Sequence, residues 1–178
     1  ARSTAAARRH HLQGAICSAA NDNGGGQVVI SGTKEAVATA MEIARAEGAK
    51  RALLLPVSAP FHCALMTPAA EAMRDALDKV TIKPPKAPLV ANVLASAIAD
   101  PAEMKARLVE QVTGAVRWRE SVEFMARNGV DSFYELGAGK VLAGLVKRIA
   151  NGVAASSVGA PADVAAFVAA QTKGAAAP

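Results

Sequence analysis

The amino-acid sequence predicts an α/β fold, with helices layered against a sheet of buried strands. Short apolar runs alternate along the chain with longer segments of helical period, and 52% of the 178 residues are hydrophobic while only 3% are aromatic. A core resting on Ala, Val, Leu and Ile suits helices packed on strands better than an all-β sandwich. The length fits one globular domain or two small ones, and the apolar fraction argues against disorder.

Residues 1–13 (ARSTAAARRHHLQ) have no helical or strand period and no acidic residue, and read as a loose leader. The pattern changes at Gly14. Gly24, Gly25 and Gly26 form a flexible turn before a short β-branched strand at residues 27–30. Thr33 stands as the N-cap of an amphipathic helix in which Val37, Ala40, Met41 and Ala44 repeat at i, i+3, i+4 and i+7, with Gly48 as its stop. Residues 52–57 (ALLLPV) are a continuous apolar run too short for a helix and predict a second buried strand.

Thr67 and Pro68 open the next helix as cap and first-turn proline, with Met73, Ala76, Leu77 and Val80 as its apolar stripe. Pro84, Pro85 and Pro88 break the chain before a strand at residues 89–93. Asp100-Pro101-Ala102-Glu103 has the pattern of a capping box with proline at N1, starting a helix that runs to about Val112. Trp118, Val122 and Met125 mark a further helix that stops at Asn128-Gly129, followed by a strand at residues 130–136. Gly137-Ala138-Gly139 turns into a helix carrying Val141, Leu142, Leu145, Val146 and Ile149; a last strand (154–158), a helix (163–171) and an Ala-rich tail complete the order.

Charge and cysteines narrow the function classes. The net charge is +5, but Arg2, Arg8 and Arg9 supply three of those charges in the leader. No basic face is left to track phosphates, and the scarcity of aromatics argues against base stacking, so nucleic acid is not expected as a partner. Cys17 and Cys63 have no CxxC spacing, which indicates neither a disulfide framework nor a thiolate metal site and favours a reducing compartment. With no apolar run of spanning length and Arg8, Arg9, His10 and His11 where a signal peptide needs its apolar segment, a cytoplasmic chain without a membrane partner is expected.

Few residues carry chemistry. Of three histidines only His62 sits in patterned sequence, just past the end of the expected strand, where working residues of open α/β sheets gather. A structural role and a general-base role both fit it. Gly137-Ala138-Gly139-Lys140 invites a phosphate-loop reading, but the GxxxxGK[ST] spacing is absent and Val141 stands where a magnesium-binding hydroxyl is required, so a tight strand-to-helix turn is the better reading. No GxSxG elbow occurs. Pro56 and Pro60 exclude a helical pairing of Ser58 with His62, and Cys63, adjacent to His62 in extended chain, points to the other side. The carboxylates at helical spacing, such as Glu71, Asp75, Asp78, Glu120 and Glu123, read as solvated helix faces, and no metal cluster is visible.

Four segments taken together carry a resemblance: residues 21–32 (NDNGGGQVVISG), 49–58 (AKRALLLPVS), 62–66 (HCALM) and 134–142 (YELGAGKVL). In this order they resemble the malonyl-CoA:acyl carrier protein transacylases of bacterial fatty-acid synthesis, from about Ala19 to the C-terminus. The likeness covers the later part of that family. It implies part of an α/β-hydrolase-like acyltransferase core with half of a ferredoxin-like subdomain: residues 14–60 as the second half of that subdomain, 61–172 as the C-terminal part of the large domain, and 173–178 as a tail. The family's GHSxG serine nucleophile, the arginine that binds the malonyl carboxylate and the glutamine loop of the oxyanion hole all lie upstream of the matched region.

The resemblance implies that His62 is the general base and that the backbone carbonyl of Gln111 orients its ring. Phe61 departs from the small residue common before that histidine and is similar to the Phe-His pair of malonyl-selective polyketide-synthase acyltransferase domains. Its ring implies exclusion of a branched acyl group, worth about 1–3 kcal/mol for one methyl. Asn21 and Asn23 match an Asn-x-Asn stretch near the cleft, as pocket polar groups or as turn formers. The implied substrate is malonyl-CoA, with acyl carrier protein as the partner and no cofactor. The expectation is a portion inactive alone that self-associates through an incomplete sheet. A small ester hydrolase using Ser58, or a non-catalytic self-associating chain, are the alternatives.

Overall fold

The computed structural model describes residues 15–174, so the leader at 1–13 and the end of the tail lie outside the described residues. The chain divides into two compact units, one ending at Ser121 and the other starting at Val122; the expected boundary at residue 60 falls inside the first.

In the first unit, β1 (Cys17–Asp22) pairs antiparallel with β2 (Val28–Gly32), Cys17 opposite Gly32 and Asp22 opposite Val28. A bulge between Ala19 and Asn21 leaves Ala20 as the extra residue, and it is buried. Gly32 tolerates no side chain, because a Cβ there would overlap the backbone of Ile16. Helix α1 (Lys34–Ala46) starts where expected, with the Thr33 side chain accepting from the Ala36 N–H. It ends in a Schellman motif: Gly48, at φ 87°, donates to the Arg45 carbonyl, and Ala49 donates to the Ala44 carbonyl.

Residues 52–57 do not form the expected strand. They are irregular, with Leu53, Leu54, Leu55 and Val57 all exposed. A strand exists only where a neighbour supplies backbone partners, and none pairs with this run among the described residues. Pro56 removes one donor, Val57 folds back to donate to the Leu55 carbonyl, and Arg45 Nη2 donates to the Ala52 carbonyl at 3.1 Å.

A 3₁₀ turn (Ala64–Met66) leads into α2 (Thr67–Asp78), which packs on α3 (Pro101–Thr113). Thr67 is not the cap of α2: Met66 holds that position and the Thr67 hydroxyl donates to the Ala64 carbonyl. Met73 and Val80 of the expected stripe are exposed, whereas Ala70 is buried. After the prolines, β3 (Leu89–Ala91) is shorter than expected and turns back into β4 (Ser96–Ile98), an antiparallel partner with no counterpart in the sequence reading. Helix α3 is capped as expected, Asp100 accepting from the N–H groups of Ala102 and Glu103 with Pro101 in the first turn. Helix α4 (Trp118–Arg127) follows.

The second unit is a strand, helix, strand crossover: β5 (Ser132–Leu136), α5 (Val141–Ile149) and β6 (Ala154–Val158), the two strands parallel with Ser132 opposite Ala154. Leu145, Val146, Ala143 and Ala155 are buried within this crossover. Gly137 (φ 128°) and Gly139 (φ 102°) make the turn into α5, and Glu135 accepts from the Ala143 N–H at 2.8 Å. That bond holds the Glu135 carboxyl below its ordinary value. Helix α6 (Pro161–Gly174) runs beyond the expected helix at both ends, and Phe167 meets Tyr134 edge to face. Among the described residues the strands form three separate pairs rather than one continuous sheet.

Candidate active site

His62 is held by an unusual piece of backbone. Its φ is 59°, in the left-handed region that side chains rarely occupy, and such strain persists only where the surroundings impose it. Cys63 returns to extended geometry and turns inward, 1% exposed, donating from Sγ to the Pro60 carbonyl at 3.1 Å. Phe61 points out, 46% exposed. The three neighbours therefore diverge, and Cys63 stays apart from the imidazole. Burial, with Cys63 as a secondary cause, raises the Cys17 thiol above its ordinary value, and both cysteines are free.

The half-buried imidazole meets the end of helix α3. The last carbonyls of a helix have no partner within it. Here Gly114 donates to the Glu110 carbonyl at 2.8 Å and then turns extended (ψ 152°), which ends the helix and leaves the Gln111 carbonyl open. His62 Nδ1 lies 3.0 Å from that oxygen, across 49 residues of sequence. A carbonyl only accepts, so Nδ1 carries the proton and Nε2 keeps its lone pair in the neutral ring. The Gln111 side chain donates from Nε2 to the Gly114 carbonyl at 2.9 Å and braces the same turn. Gln111 Oε1 and Trp118 Nε1 are buried without a partner among the described residues.

Behind this turn lies a set of contacts absent from the sequence reading. Val116 forms an isolated parallel bridge to Asn21, donating to the Ala20 carbonyl (2.8 Å) and accepting from the Asp22 N–H (2.9 Å). Arg117 Nη1 donates to the Val93 and Leu94 carbonyls, while Nε and Nη2 hold the two oxygens of Glu120. Glu120 is thus an ion-pair partner rather than a merely solvated helix residue. The Arg117 hydrogen bond holds its carboxyl below the ordinary value, and Glu120 in turn raises Arg117. Arg119 continues the network to Asp22, Nε to Oδ2 at 3.0 Å. The Val-Arg-Trp-Arg-Glu run hinted at the Arg117/Glu120 pair through its i, i+3 spacing, but the carbonyl acceptors have no signal in sequence.

A groove of about 1780 Å³ opens beside His62, and Phe61, Asn21, Asn23 and Ser58 also line it. Gln111 stands behind the ring, outside the lining. The Asn23 N–H donates to the Gln27 carbonyl, closing the β1–β2 turn. Ser58 is exposed, and no hydrogen bond joins it to His62 among the described residues. Within the same limits no group of three or more His, Cys, Asp or Glu could hold a metal ion. Among the described residues no helix is long and apolar enough to cross a membrane.

Likeness to solved malonyltransferase structures identifies this fold as part of an α/β-hydrolase-like acyltransferase core with a ferredoxin-like subdomain. No protein-family model matches the chain. It is 47% identical over 164 residues to the malonyl CoA-acyl carrier protein transacylase of Salmonella typhimurium, covering 92% of this chain and 53% of that protein. The acyl-carrier-protein-S-malonyltransferase structure from Bartonella henselae superimposes with a TM-score of 0.82 at 52% identity, over 86% of this chain and 49% of the other. A malonyl-transacylase solved in complex with its type II polyketide-synthase acyl carrier protein gives 0.85 at 41% identity, over 95% and 53%. The chain spans about half the length of these relatives, and over that half it is similar to the malonyl CoA-acyl carrier protein transacylases.

Proposed function

We propose that these 178 residues supply the general-base part of a transferase that moves malonyl from coenzyme A to the phosphopantetheine thiol of acyl carrier protein. The observation that carries this reading is the Nδ1 contact of His62 with the Gln111 carbonyl, which leaves Nε2 as the basic nitrogen at the groove. In the first half-reaction Nε2 takes the proton of a serine hydroxyl as its oxygen attacks the thioester carbonyl; the proton then passes to the departing coenzyme A thiolate. The carrier-protein thiol enters by the reverse sequence. His62 is the catalytic residue and Gln111 a positioning one. Phe61 at the groove supports a preference for malonyl over a branched acyl group, and Asn21 and Asn23 offer polar contacts there.

The serine is not one of these residues, since the sequence has no GxSxG elbow. The chain alone is therefore expected to transfer nothing: loss of the nucleophile in a comparable serine and histidine site costs on the order of a million-fold. Malonyl transfer to carrier protein is the assay, run on the chain alone and with the GHSxG-bearing segment of a relative added in trans. Activity only after addition supports the reading, and transfer at an enzyme's normal rate by the chain alone overturns it. The same reading needs no metal or redox cofactor and a cytoplasmic setting, in keeping with two free thiols. The exposed Leu53, Leu54, Leu55 and Val57 supply a surface for self-association, which a Leu54→Lys change should weaken in a solution-mass measurement.

A further inference from the structure

We infer that Arg117 is a positioning residue for the imidazole of His62, acting through the end of helix α3. The inference rests on the reading of His62 as the base.

The Gln111 carbonyl is open to the imidazole only while the helix stops where it does. One more residue of helix would let the Ala115 N–H take that oxygen, and fraying would carry the oxygen away. What fixes the exit is the path after Gly114. Val116 is held on both sides of its backbone by β1, and the Arg117 N–H donates to the Asn92 carbonyl at 3.0 Å.

The side chain of Arg117 completes the grip. Three consecutive carbonyls of the β3–β4 turn converge on this one residue: Asn92 on its backbone N–H, Val93 (3.3 Å) and Leu94 (3.0 Å) on Nη1. Nε and Nη2 of the fork hold Glu120 in the first turn of α4. One planar group thus ties the exit of α3 to the hairpin turn before it and to the helix after it. A lysine has the charge but not the fork, and cannot hold two carbonyls and a carboxylate in fixed directions.

The test reads the imidazole itself, by nitrogen NMR of the histidine rings in the 178-residue chain at a pH where they are neutral. Wild-type His62 is expected to carry its proton on Nδ1. In Arg117→Met the ratio of Nδ1–H to Nε2–H forms should fall roughly three- to tenfold, the worth of one neutral hydrogen bond, with a smaller fall in Arg117→Lys. Asp100→Ala serves as the comparison, because it removes the cap at the other end of α3 and should lower thermal stability while leaving the ratio unchanged. If Arg117→Met does not fold, Arg117→Lys decides. An unchanged ratio in the Arg117 variants, or an equal fall in Asp100→Ala, overturns the inference. A wild-type ring protonated on Nε2 instead overturns the reading of His62 on which it stands.

Discussion

Residues 52–57 and residues 61–66 follow one another in the chain and both read as apolar, yet the structure treats them in opposite ways. The first run is exposed along most of its length and makes few hydrogen bonds of its own. The second is pinned: Cys63 is buried with its thiol on the Pro60 carbonyl, Met66 donates to the Cys63 carbonyl, and His62 reaches a helix end far along the chain. Hydrophobicity marks both as candidates for burial, but order follows only where backbone and polar groups find partners. The pinned segment also bears the strained backbone, at His62. Strain accumulates where surrounding contacts can hold it.

The sharpest way to break this contrast is to place the same charge in both runs. Cys63→Asp puts a carboxylate where 1% of the residue is exposed and no cation is paired with it, and should cost about 3 kcal/mol or more in urea unfolding. Leu54→Asp, at a position 75% exposed, should stay within about 0.5 kcal/mol when measured on dilute monomer, where no second copy covers the run. Equal losses would mean that residues 52–57 are not free.

A smaller effect isolates the strain. Glycine accepts a φ of 59° that alanine resists, so His62→Gly should be more stable than His62→Ala by about 1 kcal/mol in the same unfolding experiment. The reverse order would remove backbone strain from the account.

The mildest test uses pH. The Arg117 bond lowers the Glu120 carboxyl in the folded chain, so its stabilisation is fully present above the unfolded carboxylate value of about 4.3 and is lost as the pH falls through the lower folded value. The protection of the Val116 N–H against hydrogen exchange, taken relative to the intrinsic exchange rate at each pH, should fall in that acid window in wild type, and the acid-dependent part should vanish in Glu120→Gln. Residues 53–55 should show no such step.

Much of the fold is legible in the sequence where local chemistry determines it. Thr33, Gly48 and the Asp100-Pro101 start mark helix ends because capping involves residues a few positions apart. The strand at 154–158 is legible for the same reason, bracketed by turn residues. Strand β1 escapes notice because Cys-Ser-Ala-Ala-Asn-Asp has no β-branched residue, and β4 because a three-residue strand has too little pattern. Residues 52–57 mislead because apolar sequence announces burial without naming a partner. At the site, the pairing of His62 with Gln111 has no local signature across 49 residues and is legible through resemblance alone. The Arg117 grip was not legible by either route, since its acceptors are backbone carbonyls, which every residue type carries.

The central claim, that this chain carries the base and not the nucleophile of acyl transfer, is tested most directly by intact mass after exposure to malonyl-CoA. With the GHSxG-bearing segment of a relative added in trans, the malonyl group should appear on the added polypeptide and the mass of the 178-residue chain should not change; His62→Ala should abolish the adduct. A malonyl group carried by the 178-residue chain itself, with no second polypeptide present, would contradict the account.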